Sequence, residues 1–482
     1  MYLHCDKLTV KIGLKQSLKE SLAKQTDEHL SLALIWVYTL PRVAMGIMAT
    51  LFGVYLMKFS TDVLLIAPAA MGTLIAASRI WDGFSDPMVG YLSDRTRSPL
   101  GRRRSWLFYS AVPMGVGLIM IWSPPSMLTG TMVILWMALA LLVYETASTA
   151  FYIPHGALGV ELTPNYHERT RLFGYSHMFT AIGAVLGLAA LYFMGEAQDK
   201  RTFAFYLSVF AGTFVAAMIL WSTYNLPERQ DYQGRGPSNI YKSIVDVFKN
   251  PHALLLLIVF GIETFGGAVI GVLVPYLVEY VIPKDQLPMS GSAFMVSILL
   301  VYTVPQFVFT PLWIRLAKRF GKKRIWTAAM FLASATFLGY FFALEHFNLL
   351  WILAFCHGLS SGCGLVVAPA IKADIIDYDE YLTHERKEGA YLAVWNLVRK
   401  SSAAITALIV GWVLQFSGFE PNVAQTEEAK FALRALFSLL PFSCYLIGAL
   451  LFLRFQFNEA EHSEVRRVLD KRASKAQEQY TS

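Results

Sequence analysis

The chain has 482 residues, 55% hydrophobic and only 16% charged, with a net charge of +7. Soluble globular domains carry about 25% charge, so an ordinary soluble enzyme is excluded. The positive excess is scattered through short loops, which excludes a nucleic-acid binder and points to a membrane surface.

Residues 1–30 are polar and mixed in charge, without the order of a cleavable signal peptide. Lys7 to Glu28 are expected to form a surface helix. Twelve apolar runs follow, at about 32–57, 66–92, 105–123, 131–159, 172–194, 203–225, 252–281, 292–315, 325–344, 348–374, 390–416 and 431–455. Runs of about 20 residues cross a bilayer as helices, because only closed hydrogen bonding survives in lipid. Arg95, Arg97, Arg102, Arg103 and Arg104 follow the second run; Arg315, Lys318, Arg319, Lys322, Lys323 and Arg324 follow the eighth. The loop at 124–130 has no Lys or Arg, and that at 282–291 has only Lys284. The basic loops and both termini are therefore expected in the cytoplasm.

The second run ends in two carboxylates, Asp82 and Asp86. Ionised carboxylates at membrane depth are expensive and mark ion or substrate sites. Four residues apart, they share one helix face. Such a pair can hold a small hard cation or share a proton. Lys400 lies about ten residues into the eleventh run, near mid-depth, where a place in the same pocket is a stronger reading than snorkelling to the interface. Arg42, Glu145, His177, Glu263, Lys372 and Asp374 are further ionisable residues within or beside spans. Most of these are expected in structural pairs. Cys5, Cys356, Cys363 and Cys444 show no metal or disulfide spacing. There is no P-loop, HExxH pattern or nucleophile set, so an enzyme is not expected.

Residues 226–250, rich in Pro, Gly and charge, read as a cytoplasmic linker with a short amphipathic helix. The chain divides into a segment 1–30, six-helix bundles at 31–225 and 251–456, and a cytoplasmic tail at 457–482. The halves echo each other. Pro87, Gly90 and Asp94-Arg95 lead to Gly101-Arg-Arg-Arg104; Pro311, Arg315 and Lys318-Arg319 lead to Gly321-Lys-Lys-Arg324. Pro154 precedes His167-Glu-Arg169, and Pro369 precedes His384-Glu-Arg386. A duplicated six-helix unit predicts an all-α major facilitator fold with a site between the halves.

The stretch Trp81-Asp-Gly-Phe-Ser-Asp-Pro-Met-Val-Gly90, with Asp94-Arg-Thr-Arg97 and Gly101-Arg, resembles the signature of the glycoside–pentoside–hexuronide:cation symporters. Asp374-Ile-Ile-Asp-Tyr-Asp-Glu-Tyr381, Arg386, Gly389-Ala and Asn396-Leu-Val-Arg-Lys400 resemble the same family's later helices. Lysophospholipid symporters share the helix-two acids. The resemblance implies that Asp82 and Asp86 coordinate Na+, Li+ or H+, and that Lys400 lies beside them. It implies a sugar-contacting position at His177. Family aspartates fall on Gly46 and near Tyr152, so the melibiose-type sugar site is absent. Arg42, one turn before Gly46, is a candidate for a solute of opposite polarity. Tyr152 and Trp395 are candidates to stack on a ring. Asp94, Arg95 and Arg97, with Asp377, Asp379, Glu380 and Arg386 opposite, are expected to form a cytoplasmic latch.

The expected function is cation-coupled symport of a small polar solute, a sugar or glycoside, by alternating access. The alternative is symport of a lysophospholipid or other amphiphile. A non-transporting sensor is the third reading, and the retained acid pair argues against it. No cofactor is expected beyond the coupling ion. The partners are solute, cation and bilayer, with no nucleic acid, in a monomer of the bacterial inner membrane.

Overall fold

A computed structural model describes residues 29–163, 166–228, 240–343, 346–383, 387–457, 461–469 and 471–472. The surface helix expected over Lys7–Glu28 and the gating residue Arg386 lie outside them. Among the described residues the structure is helical throughout, with no strand.

The first half comprises α1 (Leu32–Asp62), α2 (Pro68–Arg95), α3 (Arg104–Trp122), α4 (Thr131–Glu161), α5 (Tyr166–Glu196) and α6 (Lys200–Asn225). A short amphipathic helix, α7 (Ile240–Lys249), precedes the second half. That half comprises α8 (Pro251–Tyr280), α9 (Gly291–Val308) with its continuation α10 (Thr310–Phe320), α11 (Lys322–Ala343), α12 (Phe347–Thr383), α13 (Glu388–Phe416) and α14 (Glu427–Phe452). Eleven helices among the described residues are long and apolar enough to span a membrane. The twelfth, α2, is 28 residues long and carries Arg79, Asp82, Asp86, Asp94 and Arg95. Large side chains such as Phe84, Tyr109, Phe210 and Phe416 are at least 70% exposed. So much bare apolar surface calls for lipid rather than water.

Helix pairing repeats between the halves. In the first, α1 packs on α5 and α6, α2 on α4, and α3 on α4 and α6. In the second, α8 packs on α13 and α14, α9 on α12, and α11 on α12 and α14. The sequence echo is also a backbone echo. Gly101 and Gly321 both adopt positive φ, +107° and +87°, which glycine takes without strain. The basic residue after each glycine pairs with an acid late in the half's fourth helix. Arg102 lies 2.8 Å from Glu161, and Lys322 lies 2.6 Å from Asp374.

Close packing fixes each bundle. A Cβ at Gly183 of α5 would fall on the Val43 carbonyl and 3.0 Å from Gly46 Cα. Small residues at such crossings are how membrane helices gain contact. Gly183→Leu should therefore cost about 3 kcal/mol through overpacking. The expected result is a lower melting temperature in detergent for Gly183→Leu than for Gly183→Ala. Equal values would contradict the packing argument.

The halves are tied together at the end opposite the basic loops. There Tyr280 OH donates to Asp62 Oδ2 at 2.7 Å, and Thr61 Oγ1 lies 2.8 Å from Tyr276 OH. Asn422 Nδ2 donates to the Asp62 carbonyl at 2.8 Å. Lys58 pairs with Asp62 and sits 4.6 Å from the Tyr280 ring centre. Ser290 Oγ donates to Glu196 Oε1 at 2.5 Å, joining α5 to α9. At the basic end, by contrast, Arg103 pairs with Asp94 and Glu161 of its own half.

Candidate functional site

A cavity of about 1030 Å³ lies between the halves. Helical periodicity places its polar residues. Arg79, Asp82 and Asp86 recur on one face of α2; Glu145, Ser148, Thr149 and Tyr152 recur on one face of α4. On α13 the face carries Asn396, Arg399, Lys400 and Ala403. The α1 wall includes a single turn of π-helix, Leu51–Tyr55, whose Phe52, Gly53 and Val54 reach the cavity. Such turns interrupt the regular ladder and often mark functional positions.

The charges form one connected chain. Lys400 Nζ donates to Asp86 Oδ2 at 2.6 Å and lies 3.3 Å from Asp82 Oδ2. Arg79 Nη1 donates to the same Asp82 oxygen at 3.3 Å and lies 3.0 Å from Glu145 Oε1. Thr149 Oγ1 donates to Asp86 Oδ1 at 2.9 Å, and Ser85 Oγ donates to Thr149 Oγ1 at 3.4 Å. Asp82 is only 2% exposed, yet its Oδ1 accepts no hydrogen bond from any described residue. A buried carboxylate oxygen without a donor is costly in a low-dielectric interior. A cation would satisfy it, and the donor set of carboxylates and hydroxyls suits a hard ion.

The structure brings Asp82, Asp86, Lys400 and Tyr152 into this one cavity. Arg42 is just behind the wall. Its guanidinium is 5.4 Å from the Tyr152 ring centre, and its Nη2 is 3.4 Å from His155 Nδ1. Two expected residues stand elsewhere. His177 is exposed on α5, whose packed face is set by Leu172, Ser176 and Phe179. Trp395 is buried against Tyr391, ring centres 6.0 Å apart, with Lys372 Nζ 5.6 Å from its own ring. Five residues is about 140° round a helix, so Trp395 and Lys400 face different ways. Neither His177 nor Trp395 lines the cavity.

The expected latch is not closed in this state. Asp94 turns to Arg103, 2.9 Å away in its own half, and Arg95 lies over the Tyr91 ring at 4.0 Å. Arg97 borders a separate groove beside Trp106, while Asp377 lies 3.1 Å from His462 and 3.6 Å from Arg466. With the halves joined at the far end, Asp94 and Asp377 take partners on their own side of the seam.

Sequence reasoning missed two features. Arg399 lines the cavity, although it reads as part of a basic dipeptide with Lys400. The Lys58–Asp62 pair carries an i,i+4 signal within the last turns of the first span, but its cross-half partners Tyr276 and Tyr280 have none.

The inner membrane symporter YicJ of Escherichia coli is 24% identical over 89% of this chain and 92% of its own length. The sodium-dependent lysophosphatidylcholine symporter 1 of Gallus gallus is 20% identical over 95% of this chain and 92% of its own. In three dimensions the chain superposes on a crystal structure of a D-xylose–proton symporter with a TM-score of 0.65 and 14% identity, covering 88% of this chain and 97% of the other. That likeness establishes the fold. The family described as MFS/sugar transport protein matches residues 37–459, so the chain belongs to that family and is a multi-pass membrane transporter rather than an enzyme.

Proposed function

We propose that the chain is a cation-coupled symporter of a small polar solute, a sugar or glycoside, in a bacterial inner membrane. The observation that carries this reading is the Lys400 ammonium between Asp82 and Asp86, beside a buried Asp82 oxygen that lacks a donor. Lys400 occupies the place a coupling cation would take. When Na+ or H+ binds the acid pair, Lys400 loses its partner and is released toward the cavity. When the cation leaves, Lys400 returns and neutralises the acids. Solute and cation binding then become linked, and the linkage is reciprocal. The contacts around Asp62 hold the face opposite the basic loops shut, which corresponds to an inward-facing state of a monomer.

A lysophospholipid or other amphiphile is the second reading. It is favoured by the apolar part of the wall, where Met45, Met48, Phe52 and Phe260 gather, and by the lysophosphatidylcholine relative. Competition by lysolipids, but not by sugars, would select it.

The test is thermal stability of the purified protein in Na+, Li+ and K+ at several pH values. A ligand that binds only the folded state raises the melting temperature, by about 2.7 kcal/mol of stability at 100 times its Kd. Na+ or Li+ should raise it in the wild type and not in Asp82→Asn. A pH response removed by Asp82→Asn, without a metal response, would assign proton coupling. No response of either kind would overturn the coupling.

A further inference from the structure

The cations of the cavity wall are not equivalent. Arg79 lies against Asp82 and Glu145, and Lys400 lies against Asp82 and Asp86. Arg399, the neighbour of Lys400 on α13, also lines the cavity, and no hydrogen bond or ion pair joins its guanidinium to any other described residue. An arginine at membrane depth is expensive, and such residues nearly always pair or face a water-filled path. The acids nearest in the wall are already committed to other cations. The remaining carboxylate of the wall, Glu263 on α8, pairs with neither Arg399 nor any other described cation. The cavity therefore offers one unpaired planar cation on one helix and, on another, a carboxyl group whose neighbour is the Trp326 indole rather than a cation.

We infer that the transported solute carries a single anionic group, which sits on Arg399, and hydroxyls, one of which donates to Glu263. This rests on the cavity being the solute site of the symporter proposed above. A guanidinium presents a rigid fork of donors that matches a carboxylate or sulfonate with two parallel bonds. A sugar acid meets both requirements; a neutral sugar leaves Arg399 unpaired. The pairing also explains why Arg399 and Lys400 are adjacent. Lys400 serves the cation site on one side of the helix, and Arg399 serves the solute about 100° round it.

The experiment uses the purified full chain and matched pairs of probes: D-glucose with D-glucuronate, D-galactose with D-galacturonate, and methyl β-D-glucoside with methyl β-D-glucuronide. Binding is measured for the wild type, Arg399→Gln and Arg399→Lys, with the Na+- or pH-induced stabilisation of each as the control for an intact cation site. At least one acid should bind ten-fold or more tightly than its neutral twin. Arg399→Gln should abolish that preference, and Arg399→Lys should keep part of it, since a point charge replaces the fork. Equal or tighter binding of every neutral twin overturns the inference while leaving sugar symport standing. So does a preference for the acid that survives in Arg399→Gln. If no probe binds while the cation response persists, the sugar-acid assignment is overturned and the cation site stands. Loss of the cation response in the wild type overturns the coupling reading itself.

Discussion

Asp86→Asn is expected to abolish uphill accumulation of solute while leaving the protein folded and inserted. Asparagine keeps the shape of the side chain and removes the charge. Thr149 can still donate to the remaining carbonyl oxygen, so the α2–α4 contact at 2.9 Å is preserved. Lys400, now 2.6 Å from a neutral amide, loses its nearest anion and shifts toward Asp82 at 3.3 Å. Asp82 then faces both Arg79 and Lys400, and a cation finds one carboxylate where two had been. The Asp86–Lys400 pair is partly exposed, 25% and 21%, so the loss falls below the roughly 2–5 kcal/mol of a fully buried pair; about 1.4 kcal/mol, or about ten-fold in cation affinity, is expected. In membrane vesicles with an imposed Na+ or proton gradient, the ratio of internal to external solute should fall to about one. Exchange of labelled for unlabelled solute, which needs no net cation movement, should survive better than accumulation. Wild-type accumulation by Asp86→Asn would remove the acid pair from the coupling site.

The membrane-spanning order was legible because span length is set by bilayer thickness, and apolar runs register it directly. The duplicated unit was legible in Gly101 and Gly321, where a required backbone conformation leaves its mark on residue type. Asp82, Asp86 and Lys400 were legible because charge at membrane depth has few explanations. Rotation about the helix axis is what the sequence leaves open. Position along the chain points to His177 and Trp395, yet which way a side chain points depends on the helix packed beside it. The latch is illegible for a different reason. Its charges suit several partners, and conformation decides which are taken. Asp94 has Arg103 in this state, and that choice depends on the halves meeting at the other end. Tyr276 and Tyr280, which close that end, are ordinary aromatic residues in sequence and acquire their role only beside Thr61 and Asp62.

Gly72→Leu should favour the opposite-facing state and stop transport. Gly72 lies near the start of α2, where the helix crosses α13. A Cβ there would fall 2.5 Å from the Ala407 carbonyl oxygen and 3.1 Å from Gly411 Cα. Both obstacles are backbone, so neither can turn aside. The same crossing brings the Asp62 end of the two halves together, and α2 with α13 forms one of the main seams between them. Overpacking typically costs about 1–3 kcal/mol. Alternating conformers differ by only a few kcal/mol, so a penalty confined to one of them can invert their populations. The bonds from Asp62 to Tyr280 and from Thr61 to Tyr276 oppose the shift, yet net hydrogen-bond contributions are each about 1 kcal/mol. Met57 lines the cavity just inside this seal. A cysteine at position 57, with the four native cysteines changed to serine, reports its opening. Labelling by a membrane-impermeant thiol reagent from the side opposite the basic loops should be at least ten-fold faster in Gly72→Leu, with uptake lost. The Gly72→Ala change should give an intermediate rate. Unchanged labelling together with normal uptake would show that the α2–α13 crossing does not govern the seal.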